Sequence, residues 1–394
     1  MGIKKISIIG GGISGLAALH FLKKRFKDGI NVTLYEANAF LGGNIRSIRE
    51  NGFIFEAGPN GFLNNSPATQ ELIEDLGLTD ELIVADPFAK RRYIQLNGQL
   101  HLLPTGFQSF LRTPIMTTKE KFQLIGGIFN KNISTDQSIY DYVATRFCSG
   151  IAQKLADPFM RGIFGGDIKK LHMGHAFPKM KKGIMTSFKK GMGQVFERFE
   201  ERYGRFIIKG QNIGSMDKVQ ADHIISTIPA YQASGLTGNQ ILDEIRYCTV
   251  SVVGLGFELS SLKTRPDGLG YLIPSNQGKD ILGVLIESNV YQGRAPQGTV
   301  MIRVMIAQDA PAQVLIDKAL KEIDAIFGLA AKPNATWVQV WPKAIPQYEM
   351  NYPSILKKIT LEKDALTITG NFIKGISFND CIQNSKDIAA SMSI

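Results

Sequence analysis

The chain has 394 residues, more than one compact core usually holds, so we expect two or three domains. Lysine and arginine total 45 against 35 aspartate and glutamate residues, which gives a formal charge of +10. This excess favours anionic partners such as carboxylated substrates, phosphates or an acidic lipid surface, and no pattern indicates nucleic acid. A hydrophobic fraction of 44% and 40 glycines indicate a folded protein with many tight turns.

The three cysteines, Cys148, Cys248 and Cys381, lie far apart in the sequence and form no CxxC pair. This spacing argues against a disulfide framework and against a zinc site, and it favours a reducing compartment. His172 and His175 have no nearby Glu or Cys in a zinc-binding pattern. We therefore expect no metal.

The first ten residues contain a short apolar run but no signal-peptide core or cleavage site. No later stretch reaches about 18 uncharged apolar residues, so we expect no membrane-spanning helix. A cytoplasmic protein is expected, with at most a peripheral contact on the cytoplasmic membrane face. The basic run at 179–190 fits either a solvated face or a contact with acidic lipid.

The first legible unit combines a strand, a glycine turn, a helix and a second strand. Residues 5–9 predict the strand, 16–26 the helix and 31–35 the second strand, which together make a βαβ unit. A further helix is expected over 67–76. Helical patterns then dominate from 107 to 177, which indicates a helical insertion.

From residue 221 the pattern returns to apolar, β-rich runs separated by turn residues. The predicted strands are 223–227, 250–257, 269–273, 281–286 and 300–306. An amphipathic helix follows over 312–327. The final segment repeats the order of the first unit, with a strand at 365–369, a glycine turn at 370–377 and a helix at 380–392.

These elements predict an α/β fold in which a Rossmann-like domain is assembled from both chain ends. We assign residues 1–80, 185–232 and 350–394 to that domain. Residues 81–184 are expected to form a helical domain that binds substrate or associates with a membrane. Residues 233–349 are expected to form a mixed β domain that binds substrate.

Gly10, Gly12 and Gly15 form a G-x-G-x-x-G turn between the first strand and helix. The first glycine allows the tight turn, the second admits a pyrophosphate, and the third lets the helix pack on the strand. Glu36 closes the second strand, where a carboxylate can accept both ribose hydroxyls of an adenosine. A turn without a ligand would leave Glu36 unexplained, so we expect a dinucleotide, either NAD or FAD.

Three further segments carry glycines beside polar residues: LGGNIRS at 41–47, FEAGP at 55–59 and TGNFIKGIS at 369–377. On turn chemistry alone, the first also fits a hairpin turn with a solvated arginine. The third also fits a plain strand and helix without a ligand.

Together these segments resemble the FAD-dependent amine oxidase and desaturase superfamily, although Phe40 and Leu41 replace the arginine that often precedes the glycine pair. The resemblance implies non-covalent FAD and a helix, beginning near Asn379 or Asp380, whose positive end faces the flavin. The implied FAD contacts are Gly10, Gly12, Ile13, Ser14, Gly15, Glu36, Ala37, Gly42, Gly43, Asn44, Arg46, Gly58, Pro59, Asn60, Trp341, Gly370, Gly375, Ile376 and Ser377.

Inner segments narrow the resemblance to the protoporphyrinogen oxidase family. They are KRRYI at 90–94, NGQL at 97–100, LP at 103–104, ADPFMRGIFGGD at 156–167, FP at 177–178, GLGYLIP at 268–274, ILG at 281–283, GRAP at 293–296 and WPKAIPQY at 341–348. The resemblance implies oxidation of protoporphyrinogen IX to protoporphyrin IX in heme synthesis, with oxygen as the acceptor. Coproporphyrinogen III oxidation to coproporphyrin III is the close alternative.

The resemblance also implies four substrate contacts. Arg92 matches an arginine that binds a propionate, and a guanidinium suits a carboxylate because it binds bidentately. Without the resemblance, a solvated surface charge beside Lys90 and Arg91 is the favoured interpretation of Arg92. Gly162 matches a backbone contact to the macrocycle, while Leu269 and Ile286 match positions that present apolar side chains to the rings.

Other functions stay open. Amine oxidation or carotenoid desaturation shares the FAD segments, and GDP-dissociation inhibitors resemble the fold without flavin chemistry. The segment between Gln194 and Ala221 is shorter than the strand pair usual in the family, with 211–219 expected as a turn, which leaves an inactive paralogue open. A homodimer is neither indicated nor excluded.

Overall fold

The computed structural model describes residues 4–130, 133–177, 182–359, 362–363 and 365–393. Its strands are β1 Lys4–Ile9, β2 Ile30–Glu36, β3 Ser47–Glu50, β4 Phe53–Glu56, β5 Phe62–Leu63, β6 Leu82–Val84, β7 Arg92–Leu96, β8 Gln99–Leu102, β9 Met185–Phe188, β10 Ile207–Lys209, β11 His223–Ser226, β12 Tyr247–Glu258, β13 Gly270–Leu272, β14 Ile281–Ile286, β15 Thr299–Ile306, β16 Ala335–Pro346, β17 Glu362–Lys363 and β18 Leu366–Ile368.

Helices lie between these strands. The α-helices are α1 Ile13–Phe26, α2 Pro67–Asp75, α3 Phe107–Arg112, α4 Thr118–Phe129, α5 Ile139–Arg146, α6 Ser149–Ile151, α7 Asp157–Phe164, α8 Met173–Ala176, α9 Gln194–Tyr203, α10 Ala230–Thr237, α11 Glu287–Val290, α12 Ala312–Phe327, α13 Tyr352–Lys358 and α14 Phe378–Ser391. Within the described ranges, no helix combines the length and apolar character needed to cross a bilayer.

A six-stranded sheet joins the two ends of the chain in the order β10-β2-β1-β11-β18-β17. β1 runs parallel to β2 and β11, and β18 runs parallel to β11 on its other side. Helices α1 and α14 pack side by side against this sheet, and the Ser385 hydroxyl donates to the Ser14 carbonyl at 2.7 Å. The predicted assembly of a Rossmann-like domain from both chain ends is therefore confirmed.

A seven-stranded sheet has the order β16-β12-β15-β14-β13-β7-β8. Directly paired residues in neighbouring strands point to the same side, so the register defines two faces. One face packs on α12 around a core that includes Val253, Ile302 and Ile323. We call the other the inner face. One row of paired residues crosses it: Arg92, Gly270, Leu285, Arg303, Gly254 and Trp337.

The helical insertion lies against the inner face through α7. A Cβ atom added at Gly162 would come within 2.9 Å of the Leu272 side chain, so the helix backbone sits directly on β13. The Arg161 guanidinium donates to the Ile273 carbonyl at 3.1 Å, and the Cys248 thiol donates to the Phe164 carbonyl at 3.1 Å. These contacts hold α7 over one end of the sheet.

The domain boundaries stay a prediction, but residues 81–184 are not uniformly helical. β7 and β8 form a hairpin that extends the seven-stranded sheet, and β6 joins a three-stranded sheet with β5 and β9. The hairpin turns at Asn97 and Gly98, with φ angles of 50° and 77°, because asparagine and glycine adopt the left-handed conformations that such turns need.

The short connection between Gln194 and Ala221 is present as predicted. Helix α9 leads into β10, a three-residue strand that pairs with β2 at the sheet edge. Residues 211–219 contain only a helical turn at Met216–Lys218. The edge of the six-stranded sheet is therefore one short strand.

His20 lies inside the six-stranded unit, with 1% of its surface exposed. Its ring nitrogens lie 2.9 Å from the Tyr203 hydroxyl and 3.0 Å from an Asp75 carboxylate oxygen. Burial outweighs the effect of Asp75 and lowers the pKa of His20 from 6.5 to about 4. The histidine is therefore neutral in the folded protein at pH 7.

We predict that the free energy of unfolding falls as the pH drops from 6.5 towards 4. In this range His20 becomes protonated in the unfolded chain but stays neutral in the folded protein, so acid favours the unfolded state. The contribution of His20 to the free energy of unfolding is complete above pH 6.5, and roughly 3 kcal/mol of it is lost by pH 4. Urea unfolding of the wild type and of His20→Gln at several pH values measures it. The difference between them should shrink with acidity, and a constant difference would contradict the assignment.

Candidate flavin site

The first glycine turn holds the N-terminus of α1 close to the ends of β1 and β2. Gly10 has a φ of 111°, and its amide donates to the Tyr35 carbonyl at 2.8 Å. A Cβ atom at Gly15 would lie 1.9 Å from the Gly10 carbonyl oxygen, so only glycine lets the helix approach the turn. Both positions meet the prediction that glycine is needed there for backbone geometry.

The N-terminus of α1 has the features of an anion-binding site. Gly12 precedes the helix, no side chain caps it, and a Cβ atom at Gly12 would meet no protein atom within 4 Å. The first amide groups and the positive end of the helix dipole therefore face open space. Ile13 and Ser14 are buried in the first turn of the helix and fix its position.

Glu36 stands at the end of β2, buried to 6% exposure. One carboxylate oxygen accepts the Gly11 amide at 2.7 Å, and the other accepts the Asn38 backbone amide at 2.8 Å. The second oxygen also accepts the Asn38 side-chain amide at 2.7 Å, whereas the oxygen bound to Gly11 keeps a lone pair that can accept a ribose hydroxyl. Ala37, which follows it, is exposed beside this acceptor.

The second glycine segment folds back onto the first. The Gly42 amide donates to the Gly11 carbonyl at 2.9 Å, and both Gly42 and Gly43 have positive φ angles, of 115° and 58°. The Asn44 side chain donates to the Ala344 carbonyl at 3.1 Å, which ties this segment to β16. The structure thus brings together two glycine segments that the sequence placed 30 residues apart.

Arg46 is exposed, and its guanidinium stacks over the Phe40 ring at 4.7 Å. Stacking on an aromatic ring holds a guanidinium without neutralising it. Phe40 replaces part of the family pattern, and here it supports the arginine that follows. Arg46 therefore remains available for a phosphate.

Three successive carbonyl groups after β4 are fixed by side chains of the seven-stranded sheet. The Trp341 indole donates to the Ala57 carbonyl at 2.8 Å, and the Arg303 guanidinium donates to the carbonyls of Glu56, at 3.1 Å, and Gly58, at 2.7 Å. A Cβ atom at Gly58 would lie 2.0 Å from the Asn44 carbonyl oxygen, so this segment also needs glycine. Pro59 is exposed immediately after it.

A buried ion pair lies under this segment. An oxygen of Glu56 lies 3.0 Å from the Arg294 guanidinium, and neither side chain is exposed. The same carboxylate accepts the Ser47 hydroxyl at 2.7 Å and the Met192 amide at 2.9 Å. Burial raises the pKa of Glu56 to about 7, with Arg294 opposing the rise.

The C-terminal glycine turn is held from behind by two stacked tyrosines. The rings of Tyr348 and Tyr352 lie 4.2 Å apart and nearly parallel. The Tyr348 hydroxyl donates to the Asn371 carbonyl at 2.5 Å and accepts the Gly375 amide at 3.1 Å, while the Tyr352 hydroxyl lies 2.9 Å from the Phe372 carbonyl. The turn is therefore rigid where a ligand would meet its other side.

Gly370 and Gly375 have φ angles of 143° and 113°, which side chains rarely adopt. Helix α14 begins one residue after Ser377, whose hydroxyl accepts the Asp380 amide at 3.1 Å in a capping box. Ile376 is half-buried beside the helix start. This helix begins slightly earlier than predicted, and its N-terminal charge is partly satisfied by its own cap.

Arg92 occupies one end of the inner-face row that also carries Leu285 and Arg303. It is exposed, and among the described residues no ion pair with its guanidinium is found. Leu272 and Met305 lie on the same face in the neighbouring row, two residues along β13 and β15. The predicted substrate arginine therefore faces the same side of the sheet as the flavin segments.

Gly162 is exposed on α7 above Leu272, and Leu269 is half-buried against Ala89, Val290 and Tyr291. Both remain predicted substrate contacts. The substrate role of Ile286 also stays a prediction, but the structure places this residue away from the inner face. Its fully buried side chain belongs to the opposite face, in the core that packs on α12 and beside a cavity of about 380 Å³.

The alternation of side chains along β14 explains this placement. Ile286 pairs with Ile302, a core residue, whereas Leu285 pairs with Arg303 on the inner face. Both residues are apolar, so the sequence pattern does not reveal which one faces a ligand. Of these two residues, Leu285 is the one that lies on the inner face.

Among the described residues, no group of three or more His, Cys, Asp or Glu could hold a metal ion. His172 accepts the Gly174 amide at 3.0 Å and pairs with Asp136 at 3.0 Å, so it has a structural role. The basic run 179–190 falls partly outside the described residues, at 179–181.

Sequence reasoning missed three buried charged residues near the flavin segments: Arg303, Glu287 and Arg294. Arg303 interrupts an apolar β-rich run and Glu287 ends one, with charges that ordinarily avoid the interior, whereas Arg294 stands in a Gly-Pro turn and carries no such signal. Asn60 stays a predicted cofactor contact, and its side chain donates to Glu287 at 3.2 Å and so joins this buried group.

The site fits FAD. Open space at Gly12 suits a diphosphate, Glu36 suits the adenosine ribose, and glycine segments from both chain ends border the inner face where a flavin ring would lie. The fold and site therefore define an FAD-dependent oxidoreductase.

Comparison with known proteins agrees. The flavin containing amine oxidoreductase family matches residues 13–383, and the chain belongs to this family. The chain is 27% identical to human protoporphyrinogen oxidase over 476 aligned positions, covering 99% of this chain and 98% of that one. It is 24% identical to the coproporphyrinogen III oxidase of Bacillus subtilis strain 168 over 460 positions, covering 98% and 97%.

Solved structures share the fold. The protein of Exiguobacterium sp. 255-15 assigned as a protoporphyrinogen oxidase superposes with a TM-score of 0.87 at 22% identity, covering 99% of each chain. Reduced UDP-galactopyranose mutase superposes with a TM-score of 0.78 at 15% identity, covering 99% of this chain and 93% of that one. The human alignment spans 476 positions against 394 residues here, so the relative carries additional segments.

We predict that Gly12→Val abolishes FAD binding and leaves the apoprotein fold intact. The backbone at Gly12 is extended and the added side chain meets no protein atom, so stability should change by less than about 0.5 kcal/mol. The same side chain fills the diphosphate space and should raise the FAD dissociation constant by about 100-fold or more.

Titration of apoprotein with FAD, followed by flavin fluorescence, measures the affinity, and urea unfolding measures the fold. Gly15→Ala is the contrasting variant, because its added carbon collides with the Gly10 carbonyl and should destabilise the apoprotein itself. Wild-type FAD affinity in Gly12→Val would mean that the diphosphate lies elsewhere.

Proposed function

We propose that the protein oxidises protoporphyrinogen IX to protoporphyrin IX, with oxygen as the final electron acceptor, as a step of heme synthesis. When bound, FAD supplies the electron acceptor for each two-electron step and passes the electrons to oxygen, with release of hydrogen peroxide. The proposal is supported by relatives named protoporphyrinogen oxidase and by the chemistry of the inner face.

The observation that carries the proposal is a mainly apolar inner face on which, among the residues that the structure describes, Arg92 is an arginine without an ion-pair partner. Leu272, Leu285 and Met305 lie on this face, on the three strands that separate β7, which carries Arg92, from β12. Removing hydrogen from a bridging methylene needs orientation and exclusion of water more than a strong acid or base. Apolar side chains and α7 would exclude water, while Arg92 would hold a propionate.

Charge on this face favours protoporphyrinogen over coproporphyrinogen. Coproporphyrinogen III carries four propionates, whereas protoporphyrinogen IX carries two propionates and two vinyl groups. On the inner face, as far as the structure describes it, the arginines are Arg92 and Arg303, and Glu287 neutralises Arg303 at 2.9 Å. Apolar surface beside a single free cation suits vinyl groups better than extra carboxylates.

The test is anaerobic bleaching of the flavin by each porphyrinogen, followed by porphyrin fluorescence in air beside a blank without enzyme. We expect faster bleaching by protoporphyrinogen than by coproporphyrinogen. Faster bleaching by coproporphyrinogen would reassign the substrate. A yellow protein that neither substrate bleaches would overturn porphyrinogen oxidation altogether.

We predict that Arg92→Ala raises the KM for protoporphyrinogen about tenfold and leaves kcat nearly unchanged. The expected loss is that of one charge-assisted contact made equally in the ground state and the transition state. Arg91→Ala is the matched control, because Arg91 is paired with Asp267 at 2.9 Å and is not available to substrate. Equal effects from both variants would indicate a general loss of positive charge instead.

We further propose a peripheral membrane contact through α3 and α4. Phe122, Ile125 and Phe129 recur at helical spacing on α4 and are exposed, and Phe107 and Leu111 are exposed on α3. Such a stripe on a basic protein suits insertion at the surface of an acidic bilayer. Membrane delivery would suit a sparingly soluble porphyrinogen.

We predict that Phe122→Asp with Phe129→Asp reduces sedimentation with vesicles of acidic phospholipid several-fold, because two apolar contacts become repulsive charges. Val314→Asp, which places a charge at an exposed apolar position on α12, is the control. Binding that resists both changes, or falls with both, would argue against α3 and α4 as the contact.

A further inference from the structure

Arg303 and Glu287 form a buried ion pair where the inner face meets the flavin segments. The Arg303 Nε lies 2.9 Å from a Glu287 carboxylate oxygen, Arg303 is 5% exposed and Glu287 is fully buried. Both side chains belong to the seven-stranded sheet unit, at β15 and at the start of α11. The pair therefore does not arise from a chance surface encounter.

The guanidinium reaches from the sheet to the backbone that borders the flavin. Its Nη1 donates to the carbonyls of both Glu56 and Gly58. Within the described part of the chain, its Nη2 donates to no protein acceptor, so hydrogens of this group are available to a ligand. The Asn60 side chain donates to the second oxygen of Glu287 at 3.2 Å, which closes the group on the same segment.

Stability alone does not account for this pair. Its sequence neighbours Ile302 and Val304 are apolar and fully buried, and an apolar pair at 303 and 287 would avoid the desolvation of two charges. Replacing buried ion pairs by well-packed apolar residues is often neutral or stabilising. A buried charge pair beside a cofactor pocket is better explained by its effect on the cofactor.

The other charges that face this region balance one another. Arg294 is paired with Glu56 at 3.0 Å, and the Tyr291 hydroxyl lies among the four charged groups. Burial raises the pKa of Tyr291, which keeps the phenol neutral. In the low dielectric of the interior, a change of one charge at 303 or 287 would therefore act on the flavin with little screening.

We propose that Arg303 and Glu287 are a positioning pair that sets the reduction potential of the bound flavin. Arg303 fixes the segment from Glu56 to Gly58 and would bring a positive charge to the flavin pocket, where reduction of the flavin adds negative charge. Glu287 orients Arg303 and attenuates that charge. This role requires FAD and is independent of which substrate the protein oxidises.

The charge model makes opposite predictions for the two partners. Glu287→Gln keeps a hydrogen-bonding group but removes the counter-charge, so the midpoint potential of FAD should shift upwards. Arg303→Met removes the positive charge, so the potential should shift downwards. Arg303→Lys keeps the charge and should lie closer to the wild type than Arg303→Met does.

Anaerobic reductive titration of each purified holoprotein against a reference dye measures the potential, without any porphyrinogen. Glu322→Gln is the matched control. Glu322 is a buried carboxylate paired with Lys279 at 2.6 Å on the opposite face of the same sheet, and its substitution should leave the potential unchanged. FAD content and unfolding temperature are recorded for every variant.

The proposal is overturned if Glu287→Gln leaves the potential unchanged, or if it shifts in the same direction as Arg303→Met. A purely structural role would lower FAD content in both variants without opposite shifts. Should Arg303→Met fail to fold or to retain FAD, Glu287→Gln and Arg303→Lys decide the question. Lack of porphyrinogen oxidation would overturn the proposed substrate but would leave these potentials and their interpretation unaffected.

Discussion

Parallel pairing of β11 with β1 on one side and with β18 on the other is the constraint on which the site depends. These ladders join segments from the two ends of the chain, and they place the α1 turn and the turn before α14 at the same edge of the sheet. Carboxyl ends of parallel strands are where such sheets bind nucleotides. Without this pairing, the two sets of glycines would be unrelated turns.

The seven-stranded sheet contributes the inner face, which borders the nucleotide-binding segments of the six-stranded unit. Trp341 and Arg303 hold three successive carbonyls of the segment after β4, so the inner face and the nucleotide-binding unit meet through backbone. These hydrogen bonds hold the backbone in one position. A fixed position is important because the flavin ring must lie close to the substrate from which it accepts electrons. The buried charges at this junction, Glu56 with Arg294 and Glu287 with Arg303, need near-complete pairing to be tolerated there.

Several elements were predictable because their signals are local. The apolar run of β1, the glycines after it and the acid at the end of β2 each have a conformational or chemical reason that holds in any context. β7 and β8 contain segments that resemble the family but were not predicted as strands, although Asn97 and Gly98 carry a hairpin signal. The ion pair of Arg303 and Glu287 was not predicted, since the partners are 16 residues apart and meet only when β14 and β15 pair.

The sequence by itself determined the cofactor class, because glycine, helix and carboxylate act over a few residues and their spacing is visible. It also predicted β1, β2, β11 and β18 of the six-stranded sheet and β12 to β15 of the seven-stranded sheet, but not β16. Only the tertiary structure decided that Leu285 rather than Ile286 faces the flavin side, and that Asn60 joins a buried charge group. The physical reason is that a strand of apolar residues has two equivalent faces until neighbouring strands and α12 cover one of them.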